Sequence, residues 1–335
     1  MTTLPSIGAR VRRALVLPLA FSLLAAATPA SAAATDDPAP DYPSRPIRMI
    51  VPFPPGGSND IMARYFAQYL TERFNRQVVI DNRGGAEGII GTEVASRAAP
   101  DGHTLILVSA AFTANPAIRK LPYDSQKAFD WVGMIGYGPS LLSVTNALPV
   151  SSVKELQAYG KANPKKLTMT TSGGYALFSS EYFRHLSGID MVVVVYKGGF
   201  PAMLDVIAGQ AQVNLGSLIQ AITQARSGKL KPLATSGAKR ATAMPELPTI
   251  AEAGVTGYEA NNWWAIAAPA GTPPRIIAKL TREMDRYLKL PETQKRFVAE
   301  GAEVDYRTPE EVRKMIPVEM AKWAKVAKDA NIKAQ

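Results

Sequence analysis

The sequence predicts an α/β protein of two lobes, each a mostly parallel sheet flanked by helices, joined by two crossing strands. Three observations predict it. Short apolar runs alternate with amphipathic helix patterns from about residue 43, the signature of βαβ units and a parallel sheet. The alternation breaks at 131–144 and restarts after Ser151. A late apolar stretch at 261–267, beyond a segment punctuated by Pro and Gly, provides a second crossing. About 300 residues beyond the N-terminal segment is large for one core, so two lobes are the natural expectation.

In the first half, residues 47–53, 77–82 and 104–109 read as strands, with helices at 61–74 and 89–98 between them. Ile61, Ala63, Phe66, Ala67 and Leu70 fall mostly on one helical face, the spacing of a buried stripe. Residues 132–136 and 141–144 are β-like stretches around Tyr137-Gly138-Pro139, and the second leaves the first lobe. Ser152 with Glu155 three residues on has the capping-box spacing for a helix to Ala162, which Asn163-Pro164 stops. Strands then read at 167–171, 191–196, 213–216 and 230–235, with helices at 177–186, 200–208 and 219–226. Residues 191–196 are wholly apolar. After the crossing, helices read at 275–288, 292–300 and 308–330, and Thr308-Pro309-Glu310-Glu311 supplies a cap, an N1 proline and a capping-box Glu. The domain expectation is therefore lobe 1 over 43–140 and 264–335, and lobe 2 over 141–263.

The first residues set the compartment. Arg10, Arg12 and Arg13 precede an apolar run from Ala14 to Ala27, and Ala30-Ser31-Ala32 offers a cleavage site. This is the pattern of a signal peptide over 1–32, and it is short for a membrane span. Cleavage there removes three arginines and no acid, taking the formal net charge from +10 to +7. Residues 33–42, rich in Ala, Pro and Asp, read as a flexible tail. The chain has no cysteine, which excludes disulfides, thiolate catalysis, cysteine–zinc sites and a lipidated N-terminal Cys. The expectation is a freely soluble exported protein without a membrane anchor. Lys and Arg are scattered, without a basic stripe carrying aromatics, so no nucleic acid is expected as a partner.

The segment from Val51 to Asp60 carries the strongest functional signal: a strand, a turn of Pro and Gly, then a helix start. Free backbone N–H groups and the positive end of the helix dipole there attract an anion. Phe53, Pro55, Gly56, Gly57 and Ser58 are the candidate contacts, with Ser58 also able to cap the helix. A carboxylate at Asp60 would repel an anion, so Asp60 reads as a helix-start stabiliser or as the partner of a ligand amino group. Ligands of open α/β sheets sit beyond the carboxyl ends of strands. That rule adds Ser109, Ala110, Ala111 and Phe112 after the third strand, and Ser172 with Ser179 around the Thr171-Ser172-Gly173-Gly174 turn. It also adds Lys197, Gly198 and Gly199, and Ser217. Trp263 and Trp264 divide between core packing and a cleft wall. Ser172 lacks the G-x-S-x-G context of a nucleophile, and His103 and His185 are the chain's two imidazoles. Gly85, Gly88 and Gly91 depart from the G-x-G-x-x-G spacing, so no nucleotide cofactor follows. No metal site is expected.

The run from Arg45-Pro46-Ile47-Arg48 through Pro55-Gly56-Gly57 to Asp60 and Ala63-Arg64 resembles the opening of the tripartite tricarboxylate transporter receptors, the Bug family. Asp81-Asn82-Arg83 with Ile90-Gly91, Pro100-Asp101-Gly102, Asn115-Pro116 and Tyr196-Lys197-Gly198-Gly199 continue the match in order. Pro248-Thr249-Ile250-Ala251-Glu252-Ala253-Gly254 and Trp264 with Ala268-Pro269-Ala270-Gly271-Thr272-Pro273 complete it. The resemblance implies a type II periplasmic binding protein that closes over a small carboxylate and delivers it to membrane transporter subunits. It implies a carboxylate held by backbone amides and waters of the first strand–helix loop, with the opposing lobe reading the rest of the ligand. Family ligands include di- and tricarboxylates, acidic amino acids and aromatic acids. Gly84 and Glu87 stand where the family often has Pro and Gly, and His103 where Tyr is usual. Asn214-Leu215-Gly216-Ser217 and Phe200 depart within the ligand-reading lobe. A ligand-sensing receptor for a signalling partner and a hydrolase on the same scaffold are the alternative readings.

Overall fold

The computed structural model describes residues 37–333. The signal-peptide assignment over 1–32 lies outside the described residues. Strand β1 (Ile47–Val51) leads through the Pro-Gly turn into α1 (Ser58–Phe74), then β2 (Val78–Asn82), α2 (Ile89–Ser96), β3 (Thr104–Ser109) and a short α3 (Ala111–Ala114). Strands β2, β1 and β3 pair in parallel in that order. Four of the five β1 residues are buried, as expected of a central parallel strand covered on both faces. Met62, Ala63, Phe66, Ala67 and Leu70 of α1 form its buried stripe.

The chain then enters β4 (Phe129–Val144), one strand of 16 residues, where the sequence suggested two separate stretches. Gly136, Gly138 and Pro139 do not end it. They are held by a ladder along β9 (Asn261–Pro269), in which Gly136 faces Trp264 and Pro139 faces Asn261. The alternation resumes with α4 (Val153–Ala162), β5 (Thr168–Ser172), α5 (Tyr175–Ser187), β6 (Val192–Tyr196), α6 (Gly199–Ile207), β7 (Val213–Ser217), α7 (Leu218–Arg226) and β8 (Lys231–Thr235). Strands β6, β5 and β7 are parallel, while β7 and β8 run antiparallel to the second half of β4. Beyond β9 come α8 (Pro274–Lys289), α9 (Pro291–Glu300), β10 (Glu303–Arg307) and α10 (Pro309–Asp329).

The result is a mixed α/β sheet in the order β2-β1-β3-β9-β4-β7-β5-β6, with β8 and β10 also paired to β4. β4 is the shared spine. Its first half pairs with β9 and β10, its second half with β7 and β8. β9 and β10 thus return to the first half of the sheet, as the sequence suggested.

Two expectations need correction. The described part of the tail, residues 37–42, is docked. Lys279 Nζ donates to Asp37 Oδ2 at 2.7 Å, Ala39 O at 2.8 Å and Tyr42 O at 2.6 Å, while Tyr42 Oη donates to Gly102 O at 2.7 Å. Residues 264–335 do not all return to the first half. Trp323 of α10 is fully buried and meets Tyr175 and Phe178 of α5 edge-on, with ring centroids 5.4 and 5.9 Å apart. The apolar strand β6 is the sheet edge and leaves Val192, Val194 and Val195 exposed.

Candidate ligand-binding site

The first loop is built from α1 upward. The helix begins three residues before the apolar stripe implies, with Gly57 as its N-cap residue. Ser58 is the first helical residue, which corrects its assignment as the cap. Helix geometry leaves the N–H groups of Ser58, Asn59 and Asp60 without an intrahelical acceptor. Asp60 shapes the loop. Its carboxylate accepts from the Gly56 N–H at 2.9 Å, Arg64 Nε at 2.8 Å and Asn82 Nδ2 at 2.9 Å. Asn82 Nδ2 also reaches Phe53 O at 3.0 Å. Burial alone would raise the Asp60 carboxyl pKa, but the bonds from Arg64, the Gly56 N–H and Asn82 outweigh it and hold the pKa below the usual carboxylate value. Asp60 therefore faces its own loop in the helix-start role. It also engages the Gly56 N–H, while Pro55 and Gly56 stay exposed at the turn.

Asn59 is the residue that sequence reasoning missed. Its Oδ1 accepts from Trp264 Nε1 at 2.7 Å and from Asn262 Nδ2 at 3.2 Å. Asn262 Oδ1 in turn accepts from the Ala110 N–H at 3.3 Å. One chain of hydrogen bonds thus joins the α1 start, β9 and the β3–α3 turn. The signal available was an Asn at the second helical position after a glycine turn, with an Asn two residues before Trp264. Both Trp263 and Trp264 are buried, so neither is an open cleft wall.

Ser109, Ala111 and Phe112 follow β3 and are all at least 96% buried. Phe112 packs among Tyr123, Phe129 and Trp131, with centroids about 6 Å apart, so its ring anchors the turn. Phe53, Glu87, Ser109, Ala111, Phe112 and Asn115 border one small cavity.

On the other half of the sheet, Ser172 ends β5 and Gly174, at φ +64° and ψ −136°, precedes α5. A Cβ on Gly173 would lie 2.5 Å from Glu87 Oε1, and one on Gly174 would lie 3.6 Å from Ala111 Cβ. The β5–α5 turn therefore abuts Glu87 and Ala111, two residues that border the cavity lined by Phe53 and Ser109. Ser179 does not join it. Its side chain is fully buried and bonds Tyr258 Oη at 2.8 Å, which corrects its assignment as a ligand donor. Lys197 is exposed, Gly198 precedes α6, and a Cβ on Gly199 would lie 2.6 Å from Gln220 Oε1. Ser217 precedes α7 and pairs with Ser140. Gly199 thus neighbours α7, and Ser217 neighbours β4.

His103 is buried against Tyr42, and its Nδ1 lies 3.1 Å from Asp101 O. His185 lies ten residues along α5 from Tyr175, about 15 Å by helical rise. No group of three metal-binding side chains occurs among the described residues.

The model of the tripartite tricarboxylate transporter family receptor matches residues 62–332. The chain belongs to this receptor family. It is 35% identical over 297 residues to protein BugT of Bordetella pertussis, covering 87% of this chain and 91% of that one. R. palustris Rpa4515, solved with adipate, superposes with a TM-score of 0.83 at 35% identity, over 88% of this chain and 99% of its own. MatC from Rhodopseudomonas palustris, solved with bound malate, gives 0.78 at 28% identity, over 85% of this chain and 99% of its own. The fold is thus that of the solute-binding receptors.

Proposed function

We propose that this receptor captures a small carboxylate between two lobes and hands it to a tripartite tricarboxylate-type membrane transporter. The observation that carries the reading is the convergence of three strand-end turns: Phe53 and the 109–112 turn border one small cavity with Glu87, and Gly173 and Gly174 lie against Glu87 and Ala111. The N–H groups at the α1 start would hold the carboxylate, and the β5–α5 turn would read its far end. Family membership and the adipate and malate of the two R. palustris proteins support a carboxylate. The leader-like pattern over 1–32 supports a periplasmic site of action. The lobes are proposed as 43–140 with 264–308, and 141–263, with α10 lying across both, and the working form as a monomer that closes by hinging at β4 and the start of β9. Lys197, Gly198, Gly199 and Ser217 would then be the group that approaches on closure.

Gly57→Trp tests the placement. The glycine has ordinary backbone angles, and a Cβ there meets only Pro54 O at 3.8 Å, so the fold tolerates the change. The indole would stand over the N–H groups at the α1 start. A panel of carboxylic acids read by thermal shift identifies the ligand, since a hundredfold excess over Kd adds about 2.7 kcal/mol to stability. Calorimetry on the variant should then lose at least about a hundredfold in affinity, roughly 2.7 kcal/mol, with the melting point of the free protein unchanged. Undiminished affinity places the ligand elsewhere.

A further inference from the structure

The segment between β2 and α2 carries two successive non-glycine residues in the left-handed region, Ala86 at φ +45° and Glu87 at φ +58°. Such angles are unfavourable for residues with a side chain and persist only where the surroundings fix them. Here Asn115 Nδ2 donates to Glu87 O at 3.1 Å, and the Gly88 N–H closes the turn onto Gly85 O at 3.0 Å. The turn sends the Glu87 side chain inward, where only 17% of it is exposed. It ends against Gly173, where a Cβ would lie 2.5 Å from Oε1 and 3.1 Å from both Cγ and Cδ. Any residue but glycine at 173 would force the carboxylate aside.

The atoms left over define what the site lacks. Oε1 of Glu87 lies 3.5 Å from Arg119 Nη2. Oε2 is shielded from solvent and has no hydrogen-bond partner among the described residues, and the same holds for Asn115 Oδ1. Both residues border the cavity that Phe53, Ser109 and Ala111 share. The Tyr123 hydroxyl at the same cavity is likewise without a partner, but it can donate or accept, whereas a buried carboxylate or amide oxygen without a donor is costly and is satisfied by a group bearing N–H. A second carboxylate arriving there would instead meet a fixed carboxylate.

We infer that Glu87 is a specificity-determining residue. Its carboxylate occupies the place at the β5–α5 turn that the far carboxylate of a diacid would take, so this receptor selects carboxylates carrying an ammonium or other N–H donor at the far end over dicarboxylates. The inference rests on the carboxylate-capture reading above. It is tested by calorimetry on the mature protein and on Glu87→Gln and Glu87→Gly, each checked for an unchanged melting point. The probes are short ω-amino acids and α,ω-diacids matched in chain length, adipate with 6-aminohexanoate among them. The unmodified protein should bind the amino acid of its best-fitting pair at least about tenfold tighter than the diacid, a difference of roughly 1.4 kcal/mol. Both variants should shrink or reverse that ratio, chiefly by gaining affinity for the diacid. A native preference for the diacid, or a ratio that moves by less than about twofold in both variants, overturns the role of Glu87 while leaving carboxylate capture intact. Absence of binding by every carboxylate to all three proteins overturns both.

Discussion

The residues that matter most at the site are those that shape backbone. Asp60 binds no ligand in this account; it folds the 53–60 turn back on itself through three donors. Asp60→Ala should therefore destabilise the protein by about 2–3 kcal/mol, because the Gly56 N–H and the Asn82 amide lose a buried acceptor. A lowered urea midpoint with an unchanged slope would show it. The sign of the pH effect follows from the direction of the pKa shift. The carboxyl sits lower in the folded chain than in the unfolded one, where it titrates near about 3.9. The unfolded state thus takes up the proton first as pH falls, and the stabilisation is complete above that value and lost below it. Asp60→Asn should flatten this part of the acid limb, and an unchanged limb would contradict the assignment. Sequence alone pointed to the helix-start role of Asp60, because an acid in a first turn has one favourable field to answer. It could not reveal Asn59, because its partners at Trp264 and Asn262 lie some 200 positions away in the chain.

At the scale of elements, strong local chemistry was legible and edges were not. Thr308 and Glu311 form the expected reciprocal box, with the Thr308 N–H donating to Glu311 Oε2 at 2.8 Å and the Glu311 N–H to Thr308 Oγ1 at 3.3 Å. Thr308→Ala should cost about 1 kcal/mol, visible as a lower thermal midpoint; no change would mean that α10 is fixed by packing alone. Ser152 likewise caps α4 as its spacing indicated, accepting from the Glu155 N–H. The start of α1 was misplaced by three residues, since the apolar stripe begins only after the turn in which the helix nucleates. The place of β6 in the sheet was not legible for a different reason. An all-valine run fits a buried strand and an edge strand equally well, and only the sheet order reveals which one it is.

For the molecule as a whole, alternation of strands and helices was enough to give two parallel ladders, but pattern alone did not fix the return of the chain. It was not enough to show that one 16-residue strand serves both, because Gly136, Gly138 and Pro139 look like a break until β9 is beside them. Nor could an amphipathic stripe on α10 say which neighbours it buries against, and Trp323 proves to pack on α5. The site inherits this geometry. Turns from both sheet halves meet because β4 holds the halves in one register, and a bound acid should tie them together. Amide hydrogen exchange with and without a carboxylate that raises the melting point tests this most directly. Exchange at Ser58–Asp60 and at Gly173–Gly174 should slow together by about tenfold or more on binding. Protection at only one of these turns, or at neither while the acid is bound, would contradict the account.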